Sequence, residues 1–262
     1  MCCILHVLNI HAKYHIMKYV QLKYIYISHD YMSLPLIDLK EDFKFDTSTF
    51  EKYLPVSLRT EISQLTFDKI NENNNKKHIH ATRHLNGRYQ PYQVIKDIPQ
   101  DIMDIKEIYE LNFLGLQYLF NLVEKYNVNP KSISVLVWGC GLCTIDYYLD
   151  KIGFNVLSYD NWSQIERSIT EDILKSTDNN INLVDKVSDL YDEKFQVIID
   201  TGNFMTDRKI IGNPNIKIIF TWAVKRLDEG LEGTPNLDYL MDNFTRIDFP
   251  SGIIFVKNDH IK

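Results

Sequence analysis

Two glycines, two cysteines and a carboxylate stand close enough in this 262-residue chain to act together. The stretch 133–162 reads ISVLVWGCGLCTIDYYLDKIGFNVLSYDNW, with Gly139 and Gly141 flanking Cys140, Cys143 just beyond, and Asp160 following. A glycine turn lets a ligand approach the backbone closely, and an acidic side chain about 20 residues further on can reach ribose hydroxyls. Nucleoside binding is the leading chemistry. Trp138 to Cys143 and Asp160 to Trp162 are then the residues facing the ligand. Each has a plainer alternative: Asp160 as a helix cap, Trp162 as a packed aromatic. Asp160→Ala separates the two, because a lost ribose partner weakens nucleoside binding with little change in stability, whereas a lost cap lowers stability alone.

Cys140-Gly141-Leu142-Cys143 is also a C-x-x-C between an apolar strand and a helix, like the thioredoxin redox motif, and that chemistry requires a low-pKa thiol. Pro214 comes too late after the motif for that family's cis-proline, and the strands through Lys257 are too many for its fold. His78, His80 and His84, in HIHATRH, resemble a metal cluster, since H-x-H sets two rings on one side of a strand. Companion ligands are missing: Thr82 stands where a metallo-β-lactamase-type hydrolase carries Asp, and the third His is one residue late. We read this segment as polar surface and assign no metal. Arg83, Arg88 and Lys96, interleaved with Tyr89 and Tyr92, form a basic and aromatic patch able to receive an anionic substrate, nucleic acid included.

These groups need elements that bring them to one edge. Ser134 to Trp138 is an apolar, β-branched run that stops at the glycines, Thr144 to Lys151 carries Ile145, Tyr148 and Leu149 at helical spacing, and Asn155 to Tyr159 is a second strand. Upstream, Asp101 to Asn127 places Ile105, Ile108, Leu111, Tyr118, Leu119, Leu122 and Val123 near one helical face, and Asn129-Pro130 ends it. Downstream, a helix is expected over Trp162 to Leu174, with Ser163 as cap, then strands over Ile181 to Val187, Phe195 to Ile199 and Ile216 to Trp222. Phe244 to Phe249 and Ile253 to Lys257 read as a hairpin. Alternating strands and helices predict a mostly parallel sheet, and the hairpin adds an antiparallel edge. Residues 32–100 read as a mostly helical and loop segment, with Asp46 or Ser48 as an N-cap and the polar run Asn71 to Lys77 as a loop or boundary.

At Gly139, Gly141 and Asp160 the chain resembles the class I S-adenosylmethionine-dependent methyltransferases, whose first motif reads roughly acidic-x-Gly-x-Gly-x-Gly and whose second strand ends in an acidic residue. The family's first acidic residue falls on Val137 and its third glycine on Cys143. The resemblance implies a Rossmann-like α/β domain over residues 101–262 and S-adenosylmethionine as cofactor. It implies cofactor contacts from Trp138, Gly139, Cys140, Gly141, Asp160, Trp162 and Asp185, with Asp185 or Asp189 reading the adenine amine. Asp200 and Asn203, after the fourth strand, fall where a substrate-facing catalytic pair sits, although DTGNF is not the Asp-Pro-Pro-Tyr of enzymes that methylate nucleic-acid amines. The two departures leave a second reading open, a binding or interaction protein that keeps the fold without catalysis.

Composition bounds the partners. A formal charge of −6 gives no general attraction for polyanions, so a small-molecule or protein acceptor is favoured and nucleic acid is confined to the Arg83 to Lys96 patch. Four cysteines, Cys2, Cys3, Cys140 and Cys143, form no disulfide framework and point to a reducing, cytoplasmic setting. No run approaches the roughly 18 apolar residues of a membrane helix, so a soluble protein is expected. Residues 1–31, rich in Ile, Tyr, Lys and His, read as a poorly patterned extension ahead of a true start at Met32. Oligomeric state is not legible.

Overall fold

Ser134–Trp138 forms β1, buried along its whole length as a strand covered on both faces must be. The computed structural model describes residues 34–43, 47–55, 57–58, 61, 110–162, 167–200, 207–221, 236–249 and 252–262. Residues 1–31, the 71–77 run, the His78, His80 and His84 group, the Arg83, Arg88 and Lys96 patch, Asn203 and the expected cap Ser163 lie outside them.

β1 pairs in parallel with β2 (Asn155–Tyr159) on one side and β4 (Val197–Asp200) on the other. Beyond these lie β3 (Asn182–Leu183) and β5 (Ile218–Thr221), also parallel, and the hairpin of β6 (Phe244–Phe249) and β7 (Gly252–Lys257), with β7 antiparallel to β5. The seven-stranded order is β3-β2-β1-β4-β5-β7-β6. This is the Rossmann-like α/β sheet with an antiparallel edge that the class I methyltransferase resemblance implies. The third strand is shorter than the run Ile181 to Val187 because only Asn182 and Leu183 find ladder partners on β2.

Side chains alternate between two apolar layers. Val135, Val137, Val156, Val197, Ile199, Ile218 and Phe220 face one layer, and Leu136, Trp138, Leu157, Ile198 and Ile219 face the other. The first layer is covered by α1 (Thr47–Tyr53), α2 (Glu110–Glu124), α3 (Thr144–Ile152) and α4 (Arg167–Lys175). The second receives Ile210 and Ile211 of α5 (Arg208–Ile211) and Leu240 of α6 (Leu237–Asn243), two short helices that the sequence reading did not anticipate. Asp207 caps α5 by accepting from the N–H groups of Lys209 and Ile210. α3 ends on Gly153, whose φ of 104° and N–H bonds to Leu149 and Asp150 form a left-handed C-cap.

The segment before the sheet closes the first layer. Leu34, Ile37, Phe43 and Leu54 join its core, and Ile37 bridges in parallel to Ile261 at the far end of the chain. Asp42 is buried there, accepting from Lys125 Nζ at 2.8 Å, Tyr126 OH at 2.7 Å and the Asp38 N–H at 2.9 Å. Burial pushes its carboxyl up, and these hydrogen bonds outweigh burial, leaving it below the ordinary carboxylate range.

Candidate functional site

The chain leaves β1 through a turn in which Gly139 (φ 76°), Gly141 (φ 54°) and Cys143 (φ 56°) are all left-handed. Glycine takes this conformation freely, and Cys143 takes it against the crowding of its Cβ. The family's third glycine falls on that position, so the backbone there keeps the glycine geometry although the residue is cysteine. Four hydrogen bonds pin the turn. The N–H groups of Gly139 and Cys140 donate to the Tyr159 carbonyl at 2.8 and 3.1 Å, Cys143 N–H donates to the Cys140 carbonyl at 2.8 Å, and Thr170 Oγ1 on α4 donates to the Gly141 carbonyl at 2.7 Å.

Asp160 grips the same turn. Its Oδ2 accepts the Gly141 N–H at 3.0 Å and its Oδ1 the Trp162 N–H at 2.7 Å, so the carboxylate ties the end of β2 to the glycines. Burial raises its pKa, against the hydrogen bonds from the N–H groups of Trp162, Gly141 and Asn161. Among the described residues α4 runs from Arg167, and none of its N–H groups donates to Asp160. Trp162, left-handed at φ 56°, is half-buried against the first layer, with Nε1 buried and unpartnered among the described residues. The Arg167 guanidinium lies 5.7 Å from its ring centroid and also pairs with Asp185 and, at 2.7 Å, Glu171. Asp160, Trp162 and Asp185 are thus brought to one corner, with Arg167, which sequence reasoning passed over, joining Trp162 to Asp185.

Trp138 is buried in the second layer, its ring 4.6 Å from that of Tyr159, so its side chain is core. Asp200, at the end of β4, is fully buried and accepts from Thr221 Oγ1 of β5 at 2.6 Å. Asn203 lies outside the described residues.

Asp146 is a second residue the sequence reading missed. It is fully buried in the first turn of α3 and accepts a short hydrogen bond from Ser158 Oγ on β2. Burial lifts its pKa to about 7, although the Ser158 bond lowers it. An acidic residue beside Ile145 and Tyr148 in an otherwise apolar helix start was the available signal. Cys140 and Cys143 are free and buried. Burial, then the hydrogen bond to Cys143, push the Cys140 thiol well up; at Cys143 the bond with Cys140 lowers the pKa, and burial beside Asp146 and Asp160 more than reverses it. Buried, raised-pKa thiols set in a seven-stranded sheet of order β3-β2-β1-β4-β5-β7-β6 do not favour thioredoxin-type exchange.

No family model and no curated protein sequence matches the chain. Among solved structures, it is similar to a TehB-like SAM-dependent methyltransferase from Corynebacterium glutamicum at 17% identity, over 51% of this chain and 84% of that one, with a TM-score of 0.34. A ribosomal protein L11 methylase from Lactobacillus delbrueckii is similar at 18% identity, over 56% and 75%, with a TM-score of 0.37. An rRNA methylase from Escherichia coli is similar at 13% identity, over 74% and 100%, with a TM-score of 0.33. At such identities and scores the fold is read from the strand order itself. The likeness extends to no substrate.

Proposed function

We propose that the chain binds S-adenosylmethionine at the carboxyl ends of β1 and β2 and transfers its methyl group to an acceptor. The observation that supports this most is the coupling of Asp160 to the Gly139–Gly141 turn at the carboxyl edge of the sheet. In open α/β sheets ligands lie beyond these strand ends where the strand order reverses, and here β2 leaves β1 on one side while β4 lies on the other. Asp160 is preset by two N–H groups and retains lone pairs for ribose hydroxyls. Trp162 would wall the adenosine and Asp185 read the adenine amine, held near it through Arg167.

Methyl transfer is an in-line displacement at a sulfonium carbon, so holding nucleophile and methyl together supplies most of the acceleration, with a base needed only when the nucleophile carries a proton. Asp200, oriented by Thr221, and Asn203 are proposed to face the acceptor. The acceptor is proposed to be a small molecule or protein side chain, with the Arg83, Arg88 and Lys96 patch as the route for nucleic acid.

Val137, in place of the family's carboxylate, favours one second reading, a fold-retaining protein without catalysis. Calorimetric titration with S-adenosylmethionine and S-adenosylhomocysteine separates them. Saturable binding of both supports the methyltransferase reading. Absence of binding at millimolar ligand to a demonstrably folded sample supports the other. Should nucleic acid be the acceptor, its affinity falls steeply with salt, and Arg83→Ala with Arg88→Ala flattens that slope.

A further inference from the structure

We propose that Cys140, Cys143 and Asp146 form a buried binding site for a borderline-soft divalent cation of the zinc class, set against the glycine turn. Each offers one donor atom, and the three donors lie within 4.8 Å of one another. In a tetrahedral zinc site donors about 2.0–2.3 Å from the ion stand roughly 3.3–3.8 Å apart, so closure needs the donors to approach one another by up to about 1 Å. The inference stands whether or not a nucleoside binds.

The cluster is more than a meeting of buried side chains. Asp146 is fully buried, and its Oδ2 has no hydrogen-bond partner among the described residues while Oδ1 accepts from Ser158. One oxygen oriented by a neighbour and the other left over is how a carboxylate ligand is held by its outer shell. The C-x-x-C step runs through left-handed Cys143 into the first turn of α3, which carries Asp146, so three ligands arise from seven consecutive residues. Two sulfurs select a zinc-class ion over magnesium or calcium. Three protein donors leave the fourth tetrahedral position to a non-protein donor. On binding, the two thiol protons and any carboxyl proton leave to solvent, and the dication offsets two of the three negative charges that two thiolates and a carboxylate would otherwise hold in the core.

The test uses the full chain carrying Cys2→Ser and Cys3→Ser, which removes the other two cysteines, reduced, stripped by chelator and shown to be folded by circular dichroism. Titration with Co2+ is expected to develop the visible bands of a tetrahedral ion and near-ultraviolet thiolate charge transfer, saturating at one equivalent and reversed by Zn2+. Cys140→Ser and Cys143→Ser should each diminish the charge transfer, and the double variant should abolish it. Ser158→Ala, which removes the hydroxyl that orients the carboxylate, should weaken Co2+ binding by roughly 10–100-fold. A folded, reduced protein that develops no charge transfer at millimolar Co2+ overturns the proposal, as do bands that persist when Cys140 and Cys143 are both replaced. If either cysteine variant fails to fold, the titration of the parent with both thiols intact decides alone.

Discussion

The Asp146 carboxylate lies within 4.8 Å of the Cys140 and Cys143 sulfurs of the glycine turn. Val137 occupies the position of the family's acidic residue and is buried in the first apolar layer. Its register partner on β2 is Ser158, and the hydroxyl of Ser158 holds Asp146. A carboxylate on α3 thus meets β2 beside Val137. Both oxygens of Asp160, the proposed ribose partner, already accept backbone N–H groups. Asp160→Ala is therefore expected to lower stability by roughly 1–3 kcal/mol through stranded N–H groups, and to weaken nucleoside binding by about 1.5–3 kcal/mol per bond lost. The hydrogen bonds from Gly141 and Trp162 replace the sequence expectation of little change in stability with an expected loss. Denaturation midpoint and nucleoside affinity measured on this variant check both, and a stability loss with unaltered affinity removes Asp160 from the ligand set.

Among the elements, α2 sits unusually close to the sheet. A Cβ added at Gly115 would lie 3.3 Å from the Phe220 ring and 3.4 Å from Ile199. Phe220 cannot readily yield, since it is fully buried and its ring contacts Tyr118 at 5.8 Å and Phe43 at 6.3 Å between centroids. Alanine gains up to about 1 kcal/mol of helix propensity over glycine, while overpacking a filled core costs about 1–3 kcal/mol. Gly115→Ala should be net destabilising by roughly 1 kcal/mol, and Gly115→Val by more, read as shifts in urea midpoint at constant m-value. A stabilised Gly115→Ala protein would show that α2 can lift from β5 without penalty.

For the molecule as a whole, two buried titratable groups oppose one another. His260, beside the bridge that joins Ile37 to Ile261, has Nε2 buried without a partner among the described residues, and burial, aided by Lys217, lowers its pKa to about 4 from 6.5. Between those values the unfolded chain holds the extra proton, so His260 contributes stability above about pH 6.5 that is lost as pH falls toward 4. Asp146, lifted from 3.8 to about 7, does the reverse: the folded metal-free protein holds the proton, and stability present below 3.8 is lost as pH rises toward 7. Each slope is at most about 1.4 kcal/mol per pH unit. In the shared window the two nearly cancel. The stability difference between the metal-free parent and His260→Gln should therefore rise with pH between about 4 and 6.5, and the difference from Asp146→Asn should fall with pH between about 3.8 and 7. Urea titrations across that range check the signs, and parallel curves for parent and variant would show that the group titrates alike folded and unfolded.

The sequence alone determined the local elements of the sheet and the residues at the mouth of its central turn. Short-range rules suffice for these: an apolar β-branched run that stops at glycines must be a strand meeting a turn, and Gly153 after α3 must end a helix. Asp160 was legible because a fixed strand and helix length brings the end of β2 beside the end of β1. Tertiary structure decided what depends on neighbours far along the chain. Only the pairing of β1 with both β2 and β4 sends Trp138 into the second layer as core, and only burial turns the C-x-x-C from a candidate nucleophile into two raised-pKa thiols beside Asp146. α5 and α6 escaped because four- and seven-residue helices are too short to show a period, and they are held by the apolar face they cover. Burial and partnership are sums over the whole packed core, so the pKa of Asp146 and the engagement of Asp200 with Thr221 exist only once the sheet has closed.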